Sequence, residues 1–212
     1  MPLTGFAGAG NAGDLGVSAD WGSAGAISGP PHVKEFLCGS CRRRAPGFEY
    51  ARAAARYDGV VREAVHAFKF GGRRALAAPL GDLLVELAGG LPTGRPDLLL
   101  PVPLHPRREH ERGFNQAALL ARRVGRSWGC PVREDVLARA VPTQSQTELD
   151  AVARRANVRK AFRLRRSAPV AGRHVLLVDD VLTTGATLSE CARCLREAGA
   201  ALVGALTVAR VV

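Results

Sequence analysis

An α/β fold with a mostly parallel sheet flanked by helices is what this sequence predicts, and three observations predict it. Through the second half of the chain, short apolar runs alternate with segments of helical periodicity, the order that builds strand-helix-strand units. The run Val175-Leu176-Leu177-Val178 lacks polar alternation, as expected of a strand whose two faces are both covered. A length of 212 residues suffices for one full hydrophobic core with some chain to spare.

Residues 1–31 are dominated by Gly, Ala and Ser, end in Pro30-Pro31, carry almost no charge and have no apolar period, so a disordered leader is expected over residues 1–33. Cys38-Gly39-Ser40-Cys41 follows, a two-thiolate hook of the kind that supplies half a zinc site. A tetrahedral site needs four ligands, and His32 brings the total only to three. Cys191 and Cys194 complete four thiolates on paper, but they fall in a predicted helix where core cysteines are the simpler reading. The fifth cysteine is Cys130; an odd count without an export signal argues against a disulfide framework.

Val60, Val61, Ala64, Val65 and Phe68 share one helical face, and Gly71-Gly72 stops the helix. A second helix is predicted over Pro79 to Ala88, and Asp97 to Val102 reads as a buried strand with Pro101 near its end. Phe114, Ala117, Ala118, Ala121, Val124 and Trp128 mark a further helix, and Val132 to Leu137 reads as a strand. Leu149, Val152, Ala153 and Ala156 mark a helix whose opposite face carries Arg154, Arg155 and Arg159. The chain closes with a strand His174 to Val178, a helix Thr187 to Ala198 and a strand Ala201 to Val208.

No run of eighteen apolar residues occurs and no basic stretch leads into an apolar region at the N-terminus, so a membrane span and a signal peptide are unsupported and a cytoplasmic protein is expected. The formal net charge is +11, and with three lysines among 30 basic residues the other 27 are arginine. Such a surface attracts phosphorylated metabolites and nucleic acid alike, and a genome biased toward Arg and Ala codons accounts for the same composition.

The chemistry concentrates after the apolar strand, in Asp179-Asp180-Val181-Leu182-Thr183-Thr184-Gly185-Ala186-Thr187. Ligands of open parallel sheets bind where strands end. Adjacent carboxylates there repel unless a vicinal diol or a hydrated Mg²⁺ compensates them. Thr183, Thr184 and Thr187 offer hydroxyls, and Gly185 lets successive N–H groups converge on an anion at the start of the next helix. Thr187-Leu188-Ser189-Glu190 fits a capping box. The alternative is an ordinary strand-to-helix turn with a solvated acidic entrance.

This segment resembles the PRPP-binding motif of type I phosphoribosyltransferases. Lys69-Phe70-Gly71-Gly72-Arg73-Arg74, Pro101-Val102-Pro103-Leu104-His105-Pro106-Arg107-Arg108, Glu111-Arg112-Gly113-Phe114-Asn115-Gln116 and Asn157-Val158-Arg159-Lys160-Ala161-Phe162 resemble the ComF family of competence-associated phosphoribosyltransferase-like proteins. The resemblance covers about residues 50–212 and implies a type I phosphoribosyltransferase-like domain there, with residues 34–49 the remnant of a Cys-containing module. Relatives commonly begin with a four-cysteine zinc module, of which only Cys38 and Cys41 are present. The resemblance further implies that Asp179 and Asp180 hold the ribose hydroxyls and Thr183 to Thr187 the 5′-phosphate, while the loop with Leu104 and His105 approaches the Mg²⁺-bound diphosphate.

Arg107 and Arg108 are placed to neutralise a diphosphate leaving group, unless they form a solvated basic turn. Arg112 and Asn115 are weaker candidates, Asn115 being an equally good helix cap. No general base is evident; His105 in a Pro-rich turn reads more simply as a packing or surface residue.

Two functions compete. The first is phosphoribosyl transfer from Mg²⁺-PRPP to an acceptor such as a nucleobase, with diphosphate release. The second is a non-catalytic accessory of DNA uptake that binds single-stranded DNA, favoured by Arg154, Arg155, Arg159, Lys160, Arg163, Arg165 and Arg166 in one stretch but not by an aromatic content of 5%. A regulatory PRPP or nucleotide sensor is a third option.

Overall fold

A computed structural model describes residues 39–43, 45–87, 90–140, 160–165 and 169–212. The expected leader, Cys38, the helix around Leu149 to Ala156, and Arg154, Arg155, Arg159 and Arg166 all lie outside the described residues.

The described chain starts with a short helix α1 (Gly39–Arg43), followed by strand β1 (Tyr50–Arg56), helix α2 (Gly59–Phe70), a 3₁₀ turn (Arg74–Leu76) and helix α3 (Ala77–Val85). Strand β2 (Leu98–Pro101) leads into helices α4 (Pro106–Arg112) and α5 (Gln116–Trp128). Two short strands, β3 (Leu137–Arg139) and β4 (Phe162–Leu164), pair antiparallel. Strand β5 (His174–Leu182), helix α6 (Ala186–Glu197) and strand β6 (Leu202–Arg210) complete the order.

The main sheet is parallel throughout and runs β1-β6-β5-β2. β5 is therefore held by a ladder on each side. Its apolar run divides the core as the sequence demands, because successive side chains of a strand point to opposite faces. Val175 and Leu177 pack with Leu188, Cys191 and Leu195 of α6 on one face. Leu176 and Val178 pack with Phe68, Leu84 and Leu120 of α2, α3 and α5 on the other. Each of these side chains is almost wholly removed from water, which stabilises by roughly 2 kcal/mol apiece.

Several boundaries differ from expectation, each for a local reason. Val132 makes a single parallel bridge to Leu99, and the strand proper starts only at Leu137, so the expected strand over Val132 to Leu137 is divided. Pro106 opens a helix rather than continuing a turn. It occupies the first helical position, where its missing N–H costs nothing, and the His105 ring accepts from the Arg107 amide. The last helix begins at Ala186 with Gly185 as its N-cap residue at φ 72°, so Thr187 lies inside the first turn and the expected capping box is not formed. Glu190 instead pairs with Arg193 at 2.8 Å and accepts from the Lys160 amide at 2.6 Å. Packing also continues upstream of residue 50: Phe48 is in the core, and Glu49 exchanges hydrogen bonds with the backbone of Val203. No helix among the described residues is long and apolar enough to cross a membrane.

Candidate functional site

The acid pair lies near the carboxyl end of the central strand, as expected. β5 runs on through Leu182, so Asp179 and Asp180 are its sixth and seventh residues, with Asp179 in register with the buried Thr207 of β6. Asp180 is 7% exposed and Asp179 is partly covered. The Asp180 amide donates to Asp179 Oδ1 at 2.9 Å.

What compensates these carboxylates comes from distant parts of the sequence. Lys69, in the last turn of α2, places Nζ 2.8 Å from Asp180 Oδ1, both side chains being largely covered. Burial works against charge on Lys69, but Asp180 outweighs it and holds the ammonium above its ordinary pKa. Burial, and then the charge of Asp180, push the Asp179 carboxyl up to about 7, with Lys69 and Arg139 opposing. Arg112 on α4 is pushed down by half-burial, against the attraction of Asp180 and with the repulsion of Arg108. Arg139 on β3 is buried, which lowers its pKa together with Arg108, while Asp179 acts in the opposite sense. Three cations, Lys69, Arg112 and Arg139, thus act on the two carboxylates, an excess of positive charge suited to a polyanionic ligand.

Beyond Leu182 the chain curls into α6. The amides of Thr183, Thr184 and Gly185 have no hydrogen-bond partner among the described residues, while the Ala186 amide makes a long 3.4 Å contact with Thr184 Oγ1. These N–H groups sit at the positive end of a twelve-residue helix, the arrangement that binds phosphate. Gly185 takes the left-handed backbone conformation the curl requires.

The second predicted loop, Pro103 to Arg108, leaves β2, the neighbour of β5. A small cavity of about 120 Å³ at its base is lined by Leu104, Asn115, Leu137, Arg139 and Arg165, among others. Asn115 caps α5 by accepting from the Ala117 amide at 3.0 Å and ties that helix to β2 by donating to the Val102 carbonyl at 3.1 Å. Arg107 is exposed and paired with Glu111 at 2.9 Å along α4. Arg112, the weaker candidate in the sequence, is the α4 arginine that feels Asp180, and its guanidinium lies 5.2 Å from the centre of the exposed Phe70 ring.

Sequence reasoning assigned no role to Lys69 or Arg139. Lys69 carried signals all the same: it is one of three lysines in the chain, stands near a Gly-Gly stop and opens one of the segments that resemble the ComF family. Among the described residues no group of three or more His, Cys, Asp or Glu side chains comes together to hold a metal ion. Cys41 lies within α1, with Cys38 outside the described residues, while Cys191 and Cys194 are buried in α6, the latter donating to the Phe162 carbonyl. Burial, with Asp179 adding to it, pushes the Cys191 thiol up, so it is a packing residue.

A larger concavity, about 760 Å³, lies away from the acids between α3 and α5, where Arg74, Arg122, Arg123 and Arg126 line a floor of small apolar residues. Arg122 pairs with Glu134, and Arg123 with Asp82 at 2.6 Å, both as exposed surface pairs.

The chain is similar in sequence to known proteins. The phosphoribosyl transferase domain family matches residues 110–211. The DNA utilization protein YhgH of Escherichia coli O157:H7 is 37% identical over 178 residues, covering 82% of this chain and 78% of that protein. Competence protein F of Haemophilus influenzae is 33% identical over 167 residues, covering 76% and 73%. A solved structure of the allosteric regulatory enzyme of purine biosynthesis aligns with a TM-score of 0.41 at 23% identity, over 62% of this chain and 26% of that enzyme. With a parallel sheet that ends in the Asp-Asp and Thr-Thr-Gly segment, and with relatives of this identity along most of its length, the chain belongs to the ComF family of phosphoribosyltransferase-like proteins.

Proposed function

We propose that the chain binds Mg²⁺-PRPP and transfers its phosphoribosyl group to a nitrogen nucleophile, such as a nucleobase, with release of diphosphate. One observation carries the reading: two carboxylates near the end of the central strand, faced by Lys69, Arg112 and Arg139, stand next to a phosphate-type curl with open amides. Asp179 and Asp180 accept from the ribose 2- and 3-hydroxyls, and the curl from Thr183 to Thr187 takes the 5′-phosphate. The arginines face the diphosphate, whose Mg²⁺ neutralises part of its charge. In the transfer the bond from C1 to the diphosphate oxygen breaks and a bond from C1 to the acceptor nitrogen forms, while the acceptor's proton leaves to solvent. Positive charge grows on the sugar and negative charge on the departing diphosphate. Fixed carboxylates below the ring and fixed cations around the leaving group stabilise that separation without reorganising. A screen of nucleobases with Mg²⁺-PRPP, following diphosphate, tests this; no release with any acceptor would refute the turnover.

A second reading is favoured by the arginine-lined groove between α3 and α5 and by relatives named for competence and DNA utilization. In it the chain binds single-stranded DNA as an uptake accessory and does not turn over. Its signature is DNA retention that weakens steeply with salt, with no diphosphate released under any condition.

A further inference from the structure

Lys69 has the least ordinary position in the molecule. It reaches from the last turn of α2 across to the second acid of the motif, and Gly71-Gly72 follow it directly. Asp180's side chain is 10% exposed and Lys69's is 22%. Nζ thus occupies one of the positions from which a hydroxyl would donate to Asp180 Oδ1. From these contacts we propose that Lys69 is a specificity-determining residue that stands in for the ribose diol in the ligand-free protein and passes to the diphosphate when Mg²⁺-PRPP binds. This rests on the sugar-phosphate reading above.

The chemistry of the ligand explains the transfer. On PRPP the diphosphate is carried by the ring carbon next to the one bearing the 2-hydroxyl. A cation touching the carboxylate that holds the diol is thus one substituent away from the diphosphate. An ammonium on a flexible four-carbon stem can make that move. Arg112 on α4, the other cation on which Asp180 acts, lies over the Phe70 ring, and a planar guanidinium is less free to relocate. The end of α2 also has room to adjust: Phe70 is exposed and the two glycines that follow are solvent-facing. The consequence is discrimination. A sugar phosphate without the diphosphate must displace Lys69 and gives it nothing in return, whereas PRPP supplies a stronger partner.

Isothermal titration of the full chain with Mg²⁺-PRPP and, separately, with ribose 5-phosphate tests this in wild type, Lys69→Met and Lys69→Gln. Lys69→Met is expected to weaken Mg²⁺-PRPP tenfold or more and to leave ribose 5-phosphate within twofold or tighter. Lys69→Gln keeps a hydrogen-bond donor for Asp180 but lacks the charge, so it separates the two ligands in the same direction even if the methionine variant is unstable. An equal loss for both ligands would reduce Lys69 to a prop for Asp180 and overturn the inference, as would no change for either. Wild type that binds neither ligand overturns the sugar-phosphate reading itself, and the inference with it.

Discussion

At the scale of single residues, the decisive feature is that Asp179 is held at a pKa of about 7, with burial and then Asp180 as causes. An unfolded aspartate titrates near 3.8, so between these values the native state carries more proton than the unfolded chain. Stability contributed by this group is present in acid and is lost as pH rises to about 7. Asp179→Asn should therefore raise the melting temperature at about pH 8, and the gain should shrink toward about pH 5, where wild-type Asp179 is already neutral; thermal melts across that range decide it. The function-side counterpart is that Asp179→Asn with Asp180→Asn removes both negative charges and leaves each side chain a single acceptor oxygen for the proposed diol. We expect a loss of at least 100-fold in Mg²⁺-PRPP affinity, about 2.7 kcal/mol, by calorimetry. Retained affinity would remove the acids from the site. The acids and the threonine-glycine curl were legible in the sequence because they are contiguous and each residue type has a task there. Lys69 and Arg139 were not, because nothing local in a helix end or a three-residue strand says which distant carboxylate it will meet.

Among elements, the long periodic ones were readable and the short or atypical ones were not. α2, α5, β5 and β6 follow apolar patterns of the right period, and the structure places them within a few residues of expectation. β1 escaped notice because Tyr50-Ala-Arg-Ala-Ala-Ala-Arg is built of weak strand formers, so its pairing with β6, not its propensity, makes it a strand. The fit between those two strands is tight at one point. Tyr50 lies opposite Gly204, and a Cβ added there would meet the Tyr50 ring at 2.2 Å. The same ring's hydroxyl is hydrogen-bonded to His174 Nε2 at 2.8 Å, so it cannot swing aside without breaking that contact. Gly204→Ala should destabilise by about 3 kcal/mol, as overpacking of a closed site does, read as a shift of the urea midpoint at unchanged slope. Gly185→Ala has a different cause: its Cβ meets only ordinary contacts at 3.5 Å, so its cost of about 1 kcal/mol is that of a left-handed backbone on a residue with a side chain.

For the molecule as a whole, the charge of +11 was evident from composition, but where it gathers was not. Two cationic regions emerge only after folding: the ring about the acids and the trough between α3 and α5. If the trough carries nucleic acid, Arg122→Ala with Arg126→Ala should lower the salt slope of oligonucleotide binding by about two, measured by fluorescence anisotropy. Mg²⁺-PRPP binding should be untouched, and stability should move by no more than about 1 kcal/mol, since the Arg122 pair is at the surface. β5 is clamped by β6 and β2, whereas Lys69, Arg112 and Arg139 come from the outlying α2, α4 and β3. Under the proposed function such a molecule has an immovable anvil and replaceable tools: mutation would exchange what surrounds the sugar, and so retune which substrate is accepted, without disturbing the ledge on which the sugar would rest.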